Sequence, residues 1–336
     1  INDTLGHDKG DDLLREVSIR VKSCVGRNDT VARLGGDEFA IILPNLINHE
    51  RVEVIAELII QALNKPFHFN RSRTNYYIST SIGIVFYPQD GTNMKSLMKH
   101  ADQAMYAAKL EGRNRFCHFT PSMQQEAHEK MVLIHDLRQA IIKKELHVYY
   151  QPILELSSGN LIKAEALLRW KHPRRGMISP AIFIPLAEES GLILEIGDMV
   201  FKQSIALIDQ WRQRLGYIVQ VSVNMSPVQF KYMNNNRWFE YLTQLGLPGN
   251  CINVEITEGL LLKDSSVVQD YLLEFRNCGV EVSIDDFGTG FSSLSYLKKF
   301  DIDYLKIDRS FINQLIDNAT DRALVEAIIV MAHKLD

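Results

Sequence analysis

Cysteine is scarce in this sequence, and its spacing points to no metal or redox centre. Four cysteines occur among 336 residues, at positions 24, 117, 251 and 278, and no two of them form a C-x-x-C pair. Neither a zinc knuckle nor a dithiol redox motif is therefore indicated. So few thiols in a chain of this length are typical of a reducing compartment, and we expect a cytoplasmic location.

An excess of positive charge and long hydrophobic runs are also absent. The net charge of −4 argues against broad electrostatic binding to nucleic acid, although a nucleotide ligand would need only local positive charge. The apolar runs are too short to span a bilayer, and no signal peptide is recognisable. We expect attachment to a membrane only through a segment upstream of Ile1.

The length of the chain predicts about two domains, and the first part has the pattern of an α+β domain. Apolar residues at helical spacing predict helices over 8–25, 48–64 and 94–110. Alternating, β-branched and aromatic segments predict strands over 30–34, 38–43 and 76–87. The first two strands flank Gly35-Gly36-Asp37, where glycine supplies the backbone angles of a tight hairpin. These elements predict an antiparallel sheet with helices.

A different pattern begins near residue 147, after a predicted helix over 121–142. Apolar strands now alternate with amphipathic helices, which predicts an α/β fold of parallel strands with crossover helices. The predicted strands are 147–154, 162–169, 217–224, 252–257, 280–285 and 304–308, and the predicted helices include 198–215, 265–277 and 320–334.

Polar side chains recur at the carboxyl ends of these strands, where chemistry collects in such folds. They are Glu165, Asn224, Glu255, Glu258, Asp285, Asp286 and Asp308. Several carboxylates at one mouth would repel each other without a cation, so the cluster predicts Mg²⁺ or Mn²⁺. The adjacent Asp285 and Asp286 are placed to bridge two ions, and Lys306 is placed to orient an attacking hydroxide or to neutralise phosphate charge.

Motifs in this second part carry a family resemblance. They are Gln151-Pro152-Ile153, Glu165-Ala166-Leu167 followed by Leu168-Arg169-Trp170, Asn224 in Val-Asn-Met-Ser, Glu255-Ile256-Thr257-Glu258, Asp285-Asp286-Phe287-Gly288-Thr289-Gly290 and Lys306-Ile307-Asp308. In this order they resemble the EAL phosphodiesterases of bacterial cyclic di-GMP signalling. The resemblance implies a TIM-barrel-like α/β domain that opens cyclic di-GMP to linear pGpG.

The resemblance also implies two metal sites. The first would use the four ligands Glu165, Asn224, Glu255 and Asp285. The second would use Asp285 together with Asp286. Lys306 would act on the catalytic water, beside these ions.

Four further residues have implied roles outside the metal sites. Glu258 would anchor the loop after the Asp pair, and Gln151, Arg169 and Asp308 would contact substrate or support the metal ligands. Two of these assignments have alternatives. Gln151 before Pro152 is equally expected to begin a strand, and Arg169 beside Trp170 could form a structural cation–π pair, although its place after the Glu165 strand favours phosphate contact.

The first part resembles a second family on its own motifs. They are Ile1-Asn2-Asp3, Gly6-His7, Gly10-Asp11, Leu13-Leu14, Ala32-Arg33-Leu34, Gly35-Gly36-Asp37-Glu38-Phe39, and Lys109 with Arg113. Over residues 1–119 they resemble the GGDEF diguanylate cyclases, which have a nucleotidyl-cyclase-like α+β fold. The resemblance implies a GTP site on the hairpin formed by Gly35 and Gly36.

An amide and a carboxylate can pair with the Watson–Crick edge of guanine, and Asn2 and Asp11 would do so by this resemblance. Asp37 and Glu38 suit a Mg²⁺ ion that bridges triphosphate oxygens. Lys109 and Arg113 can neutralise the terminal phosphates. Taken alone, Lys109 would instead be a solvated residue at a helix end, where the helix dipole favours a cation.

The two resemblances predict a GGDEF domain over 1–119, a linker helix over 120–142 and an EAL domain over 143–336. Relative to the two families, both domains would be truncated. The first domain would lack its N-terminal strand. The second domain would lack its last two strands, and the six strands that remain cannot close an eight-stranded barrel. We expect a metal-dependent phosphodiesterase with a GTP-binding regulatory domain, as a homodimer. The alternatives are a bifunctional enzyme that also makes cyclic di-GMP from two GTP, and a non-catalytic receptor for cyclic di-GMP or GTP.

Overall fold

The computed structural model describes residues 7–46, 49–68, 75–232, 236–261, 266–288, 302–313, 315–316 and 318–334. Asn2, predicted to bind guanine, lies outside the described residues, as do Thr289 and Gly290 of the motif after the Asp pair. The chain divides into two units, Ile1–Lys130 and Met131–Asp336. Within the described residues, no helix combines the length and the hydropathy that a membrane span requires.

The first unit mixes helices with two small sheets. Its elements are α1 (His7–Ser23), β1 (Thr30–Gly35), β2 (Glu38–Ile42), α2 (Glu50–Asn64), β3 (Ser81–Ile84), α3 (Met94–Leu110) and β4 (Arg115–His118). The apolar faces of α1 and α2 share one core that includes Leu13, Val17, Ile55, Ile59 and Phe67. The α+β class predicted from the sequence is confirmed.

One sheet of the first unit differs from the antiparallel arrangement that the sequence predicts. Strands β1 and β2 form the expected antiparallel hairpin, but β3 and β4 pair in parallel. Helix α3 connects β3 to β4 and returns the chain to the same end of the sheet, which gives a parallel pair.

The long strand predicted over 76–87 is reduced to Ser81–Ile84. Upstream, Tyr76 forms only an isolated bridge with Phe67. Downstream, the Asp90 carboxylate accepts a hydrogen bond from the backbone N–H of Phe86 at 2.7 Å. A side chain that bonds the backbone in this way stabilises a turn, so the strand ends although its composition favours extension.

Helix α4 (Pro121–Lys143) follows, and the division between the units falls inside it. The second unit then contains β5 (Leu146–Leu154), β6 (Leu161–His172), β7 (Gly176–Ile178), α5 (Pro180–Ser190), α6 (Ile193–Leu215), β8 (Gln220–Asn224), α7 (Pro227–Tyr232), α8 (Asn236–Gln244), β9 (Ile252–Thr257), α9 (Glu258–Leu261), α10 (Ser266–Asn277), β10 (Glu281–Phe287), β11 (Tyr304–Ile307), α11 (Arg309–Asn313) and α12 (Ala319–Ala332). Strands alternate with helices, as the sequence predicts for an α/β barrel-like domain.

The strands of the second unit form one sheet in the order β11-β10-β9-β8-β6-β5, with β7 paired to β6. From β6 to β11 the main neighbours are parallel. Strand β5, predicted to be parallel, is antiparallel to β6. Only residues 155–160 connect these two strands, and a parallel connection needs about a dozen residues or more.

The two faces of this sheet have different chemistry because side chains alternate along a strand. One face packs against the helices in a large apolar core that includes Ala166, Val223, Val254, Ile256 and Ile284. The residues between these positions point to the other face. The functional residues predicted on β6, β8, β9, β10 and β11 alternate with the core residues, so the helix-covered core orients them.

A second core cluster holds α4, β6 and α5 together. Trp170 and Phe183 are fully buried at its centre, with ring centroids 5.7 Å apart in an edge-to-face arrangement. Leu137 and Ala140 of α4 are buried in the same cluster.

We expect Trp170→Ala to lower the free energy of unfolding of the second unit by about 3–5 kcal/mol, the usual cost of truncating a buried aromatic side chain. Urea unfolding followed by circular dichroism measures this. Leu156→Ala is the matched control, since Leu156 is fully exposed at 101%. Equal unfolding midpoints for the two variants would contradict the assignment of Trp170 to the core.

Candidate active site

Five polar side chains from neighbouring strands of the second unit meet on one face of the sheet, toward the carboxyl ends of β8 to β11 and beside the middle of β6. Glu165 lies on β6, Asn224 ends β8, Glu255 lies on β9, Asp285 lies on β10 and Lys306 lies on β11. Oxygen atoms of the three carboxylates, Glu165, Glu255 and Asp285, all lie within 4.8 Å of one another. The sequence prediction that these side chains converge is therefore reproduced in space.

Lys306 lies at the centre of the three carboxylates. Its Nζ is 2.5 Å from Glu255 Oε2, 3.1 Å from Glu165 Oε2 and 3.3 Å from Asp285 Oδ1. One ammonium faces three carboxylates, which leaves two negative charges uncompensated if all are ionised.

Burial changes the proton affinities in this cluster. Glu255 is 2% exposed, and burial raises its pKa to about 7 against the opposing effect of Lys306. For Lys306 itself, burial lowers the pKa, but the neighbouring Glu255, Asp285 and Glu165 outweigh burial and raise it. The cluster thus favours a bound cation, because a cation stabilises the ionised carboxylates.

Two uncharged side chains border Glu165. Asn224 Nδ2 donates a hydrogen bond to Glu165 Oε1 at 3.0 Å. Gln151 lies directly opposite Glu165 in the β5–β6 ladder, so the two side chains project from the same face. Gln151 is exposed on that face and lies inside β5, which begins at Leu146, so the alternative that Gln151 begins a strand is wrong.

The structure separates the two adjacent aspartates. Two residues of β10, Asp285 and Asp286, face one residue of β11, and Asp286 adopts a left-handed backbone with φ of 54°. Such a bulge re-aims side chains next to functional sites. Asp285 turns into the carboxylate cluster, whereas Asp286 stands outside it and interacts with Asp308.

The environment of Asp286 and Asp308 is also acidic. Burial raises the pKa of Asp286, and the charges of Asp285 and Asp308 raise it further. Hydrogen bonds from Ser310 lower the pKa of Asp308; the backbone N–H of Ser310 donates at 2.8 Å and its hydroxyl also donates. The two carboxylates thus form a second acidic position beside the first cluster.

Glu258 contacts the segment that follows the Asp pair. The backbone N–H of Gly288 donates to Glu258 Oε2 at 3.2 Å, and Glu258 is buried. Gly288 has a φ of 98°, and an added Cβ would stand 3.1 Å from the ring of Phe311. The position therefore requires glycine. Its bond to Glu258 is the contact on which the predicted anchoring role would depend.

Arg169 projects from the same face of β6 as Glu165, since four residues separate them. Its Nη1 donates to the carbonyl of Leu168 at 3.3 Å. Trp170 points to the opposite face and packs against Phe183. Among the described residues no cation–π contact joins Arg169 to Trp170, so the structural alternative for Arg169 is not observed.

The predicted GTP site of the first unit is exposed. Gly35 ends β1, Gly36 has a φ of 51°, and Asp37 and Glu38 follow them in the hairpin. The remaining predicted residues are Asp11 on α1, Lys109 in the last turn of α3 and Arg113 just beyond it with a φ of 59°. In the part of the chain that is described, no hydrogen bond or ion pair joins these side chains to one another.

Residues 134–336 match the family model described as EAL domain. The chain belongs to the EAL domain family. Residues 1–115 match the model described as Diguanylate cyclase, GGDEF domain. The chain therefore combines a GGDEF domain with an EAL domain, as the motifs predict.

The chain is also similar to named two-domain proteins over its whole length. The chain is 40% identical over 339 residues to the bifunctional diguanylate cyclase/cyclic di-GMP phosphodiesterase MucR of Pseudomonas aeruginosa, covering 100% of this chain and 49% of MucR. It is 37% identical over 337 residues to the cyclic di-GMP phosphodiesterase PdeR of Escherichia coli, covering 100% of this chain and 50% of PdeR. The chain spans about half the length of these curated relatives.

A solved structure described as PaMucR phosphodiesterase in complex with c-di-GMP is also similar. It is 39% identical, with a TM-score of 0.57, and the match covers 60% of this chain and 83% of that chain. The match supports the α/β fold of the EAL domain.

EAL domains are metal-dependent in general, and the acidic cluster of this EAL domain fits a divalent cation. Hard oxygen ligands are what Mg²⁺ and Mn²⁺ prefer. The excess of two negative charges over Lys306 fits an ion of charge two. Glu165, Glu255 and Asp285 supply the carboxylates, and Asn224 can add an amide oxygen.

Sequence reasoning missed a second row of polar residues in the EAL domain. Each lies two positions before a residue of the cluster, and the row consists of Lys163, Ser222, Asn253, Ser283 and Tyr304. The signal was available as polar residues at every second position of otherwise apolar strands, as in Gln-Val-Ser-Val-Asn of β8.

Proposed function

We propose that the EAL domain of this chain hydrolyses cyclic di-GMP to linear pGpG with the help of Mg²⁺ or Mn²⁺. The observation that carries the proposal is the set of three carboxylates around Lys306, contributed by the neighbouring strands β6, β9 and β10. The activities named for MucR and PdeR support it.

The proposed reaction adds water to one phosphorus and breaks one phosphorus–O3′ bond, which opens the ring. A bound divalent ion would lower the pKa of a coordinated water and neutralise charge on the phosphate. Glu165, Asn224, Glu255 and Asp285 would hold one ion, and Asp285 with Asp286 would hold a second.

The other residues of the site would orient the reactants. Lys306 is placed to hold the attacking water and to neutralise developing negative charge on the phosphate. Gln151 and Arg169 project from the Glu165 face and would contact the substrate, and Asp308 would support Asp286. Glu258 would keep the segment after Asp286 in place through its bond to Gly288.

The direct test is to incubate the chain with cyclic di-GMP and Mg²⁺ and to identify the product by mass spectrometry. We expect pGpG, and no product when Ca²⁺ replaces Mg²⁺, because Ca²⁺ takes more ligands at longer distances. Binding of cyclic di-GMP without any hydrolysis would contradict the proposal and favour the receptor alternative. Equal rates with the two ions would contradict the metal geometry.

We also propose that the GGDEF domain binds GTP and regulates the EAL domain. Asp37 and Glu38 are both present on the exposed hairpin, where Mg²⁺–triphosphate could approach, and Lys109 and Arg113 could neutralise phosphate charge. Addition of GTP should then change the rate of cyclic di-GMP hydrolysis, and Asp37→Asn should remove this response.

The second candidate is a bifunctional enzyme, favoured by the retained Asp37 and Glu38 and by the similarity to MucR. Incubation with GTP and Mg²⁺ in the Glu165→Gln background would let cyclic di-GMP accumulate if the GGDEF domain makes it. Absence of cyclic di-GMP would leave regulation as the role of this domain.

Several finer features belong to this proposal. They are the boundaries 1–119, 120–142 and 143–336, a homodimer and a cytoplasmic location. Light scattering of the protein in solution tests the homodimer.

A further inference from the structure

A second layer of side chains lies directly beneath the carboxylate cluster. Its centre is a ladder of three polar residues, Ser222 on β8, Asn253 on β9 and Ser283 on β10. Each lies two positions before a residue of the cluster, so it projects from the same face about 7 Å lower along the strand. The layer is formed by the strands that carry Asn224, Glu255 and Asp285.

Asn253 connects the two outer members of the ladder. Its Nδ2 donates to Ser222 Oγ at 2.9 Å, and its Oδ1 accepts from Ser283 Oγ at 2.9 Å. Asn253 is 1% exposed, Ser222 1% and Ser283 2%. One buried amide therefore links three neighbouring strands, and the ladder is shielded from solvent.

The layer above needs such support. The carboxylates of Glu255, Glu165 and Asp285 repel one another, which tends to spread the ends of their strands. The backbone pairing of β10 with β11 is regular at Ser283 and Ile284 but shifts immediately above, at the bulge of Asp285 and Asp286. The side-chain bond between Ser283 and Asn253 thus ties β10 to β9 one residue before the last regular position, Ile284.

We propose that Asn253 is a positioning residue for the metal site of the EAL domain. By tying Ser222 and Ser283 to β9, it holds Asn224, Glu255 and Asp285 at the spacing that a divalent ion requires. This inference rests on the proposed function, because it presupposes that the cluster binds a metal ion. Metal ligands lose affinity when supporting groups are removed, by about 10- to 100-fold for outer hydrogen-bond partners.

The test compares a single and a triple variant of the full chain. Asn253→Leu keeps the volume but leaves two buried hydroxyls unpaired, so it should lower stability as well as Mn²⁺ affinity. The triple variant Ser222→Ala, Asn253→Leu, Ser283→Ala removes every polar group of the ladder and should recover stability. We expect Mn²⁺ binding of the triple variant, measured by calorimetry, to stay about 10-fold weaker than in the wild type.

Gln220→Leu is the matched control. Gln220 lies on the same face of β8, two positions below Ser222, and its Nε2 donates at 2.7 Å to the carbonyl of Asn250 and to Glu281 Oε2. This variant should lose stability while its Mn²⁺ affinity stays that of the wild type.

Three outcomes separate the possibilities. A stable triple variant with wild-type Mn²⁺ affinity would overturn the positioning role and leave the ladder as a structural feature. Equal losses of Mn²⁺ affinity in Gln220→Leu and the triple variant would overturn the positioning role too, since the loss would then follow the removal of any buried polar group from the sheet. If the wild-type chain binds no Mn²⁺, the metal dependence in the proposed function fails, and this inference fails with it.

Discussion

Glu165→Gln is expected to reduce the rate of cyclic di-GMP hydrolysis by more than about 100-fold. Removing an outer hydrogen-bond partner of a metal ligand already costs up to about 100-fold, and changing a ligand itself should cost more. The substitution keeps the shape of the side chain but removes one of the three charges that favour a cation. The fold should be retained, because Glu165 projects from the face opposite the apolar core that contains Ala166. Initial rates of pGpG formation and the unfolding midpoint measure the two effects.

The control for this variant is Glu195→Gln. Glu195 is an exposed glutamate in the first turn of α6, so the same chemical change there should leave the rate unaltered. A folded Glu165→Gln variant with wild-type turnover would rule out Glu165 as a ligand of the catalytic metal.

Lys306→Met should reduce turnover by about 100- to 1,000-fold, the range expected when one positioned donor is removed from a charged transition state. Mn²⁺ binding should be retained or become tighter, because the ammonium of Lys306 occupies the centre of the same carboxylates and competes with a metal ion for them. Steady-state rates measure the expected loss of turnover, and calorimetric Mn²⁺ titration measures the metal affinity, which should stay the same or increase.

Lys202→Met provides the comparison for the loss of a lysine charge. Lys202 forms an ion pair with Asp198 along α6 at 2.7 Å and is half exposed, so its removal should change neither measurement. If Lys306→Met loses metal binding and turnover in parallel, Lys306 supports the ligands and has no separate part in the reaction.

Local patterns predicted much of the secondary structure. Helix 94–110 and strand 252–257 have the predicted bounds, because apolar spacing in these segments follows one period without interruption. Strand 76–87 was wrong in length, because the backbone N–H of Phe86 donates a hydrogen bond to the Asp90 carboxylate, which competes with sheet pairing at that end. Composition alone did not reveal this competition.

The site could be predicted as a set of residues but not as an arrangement. Carboxylates at the ends of apolar strands are visible in the sequence, and parallel strands bring their ends to one edge. The adjacent Asp285 and Asp286 look equivalent in the sequence, yet a bulge with a left-handed Asp286 sends them to different neighbours. Backbone geometry of this kind depends on the pairing partner, here β11.

The sequence by itself determined the two domain families, the face of each strand that carries polar residues, and the presence of an acidic cluster. These depend on motifs and on side-chain periods that are local to each segment. Only the tertiary structure decided that β3 and β4 are parallel, that β5 is antiparallel, and that Lys306 meets a carboxylate 141 positions away in Glu165. Such contacts arise from strand order and register, which the packing of helices on the whole sheet selects and no single segment encodes.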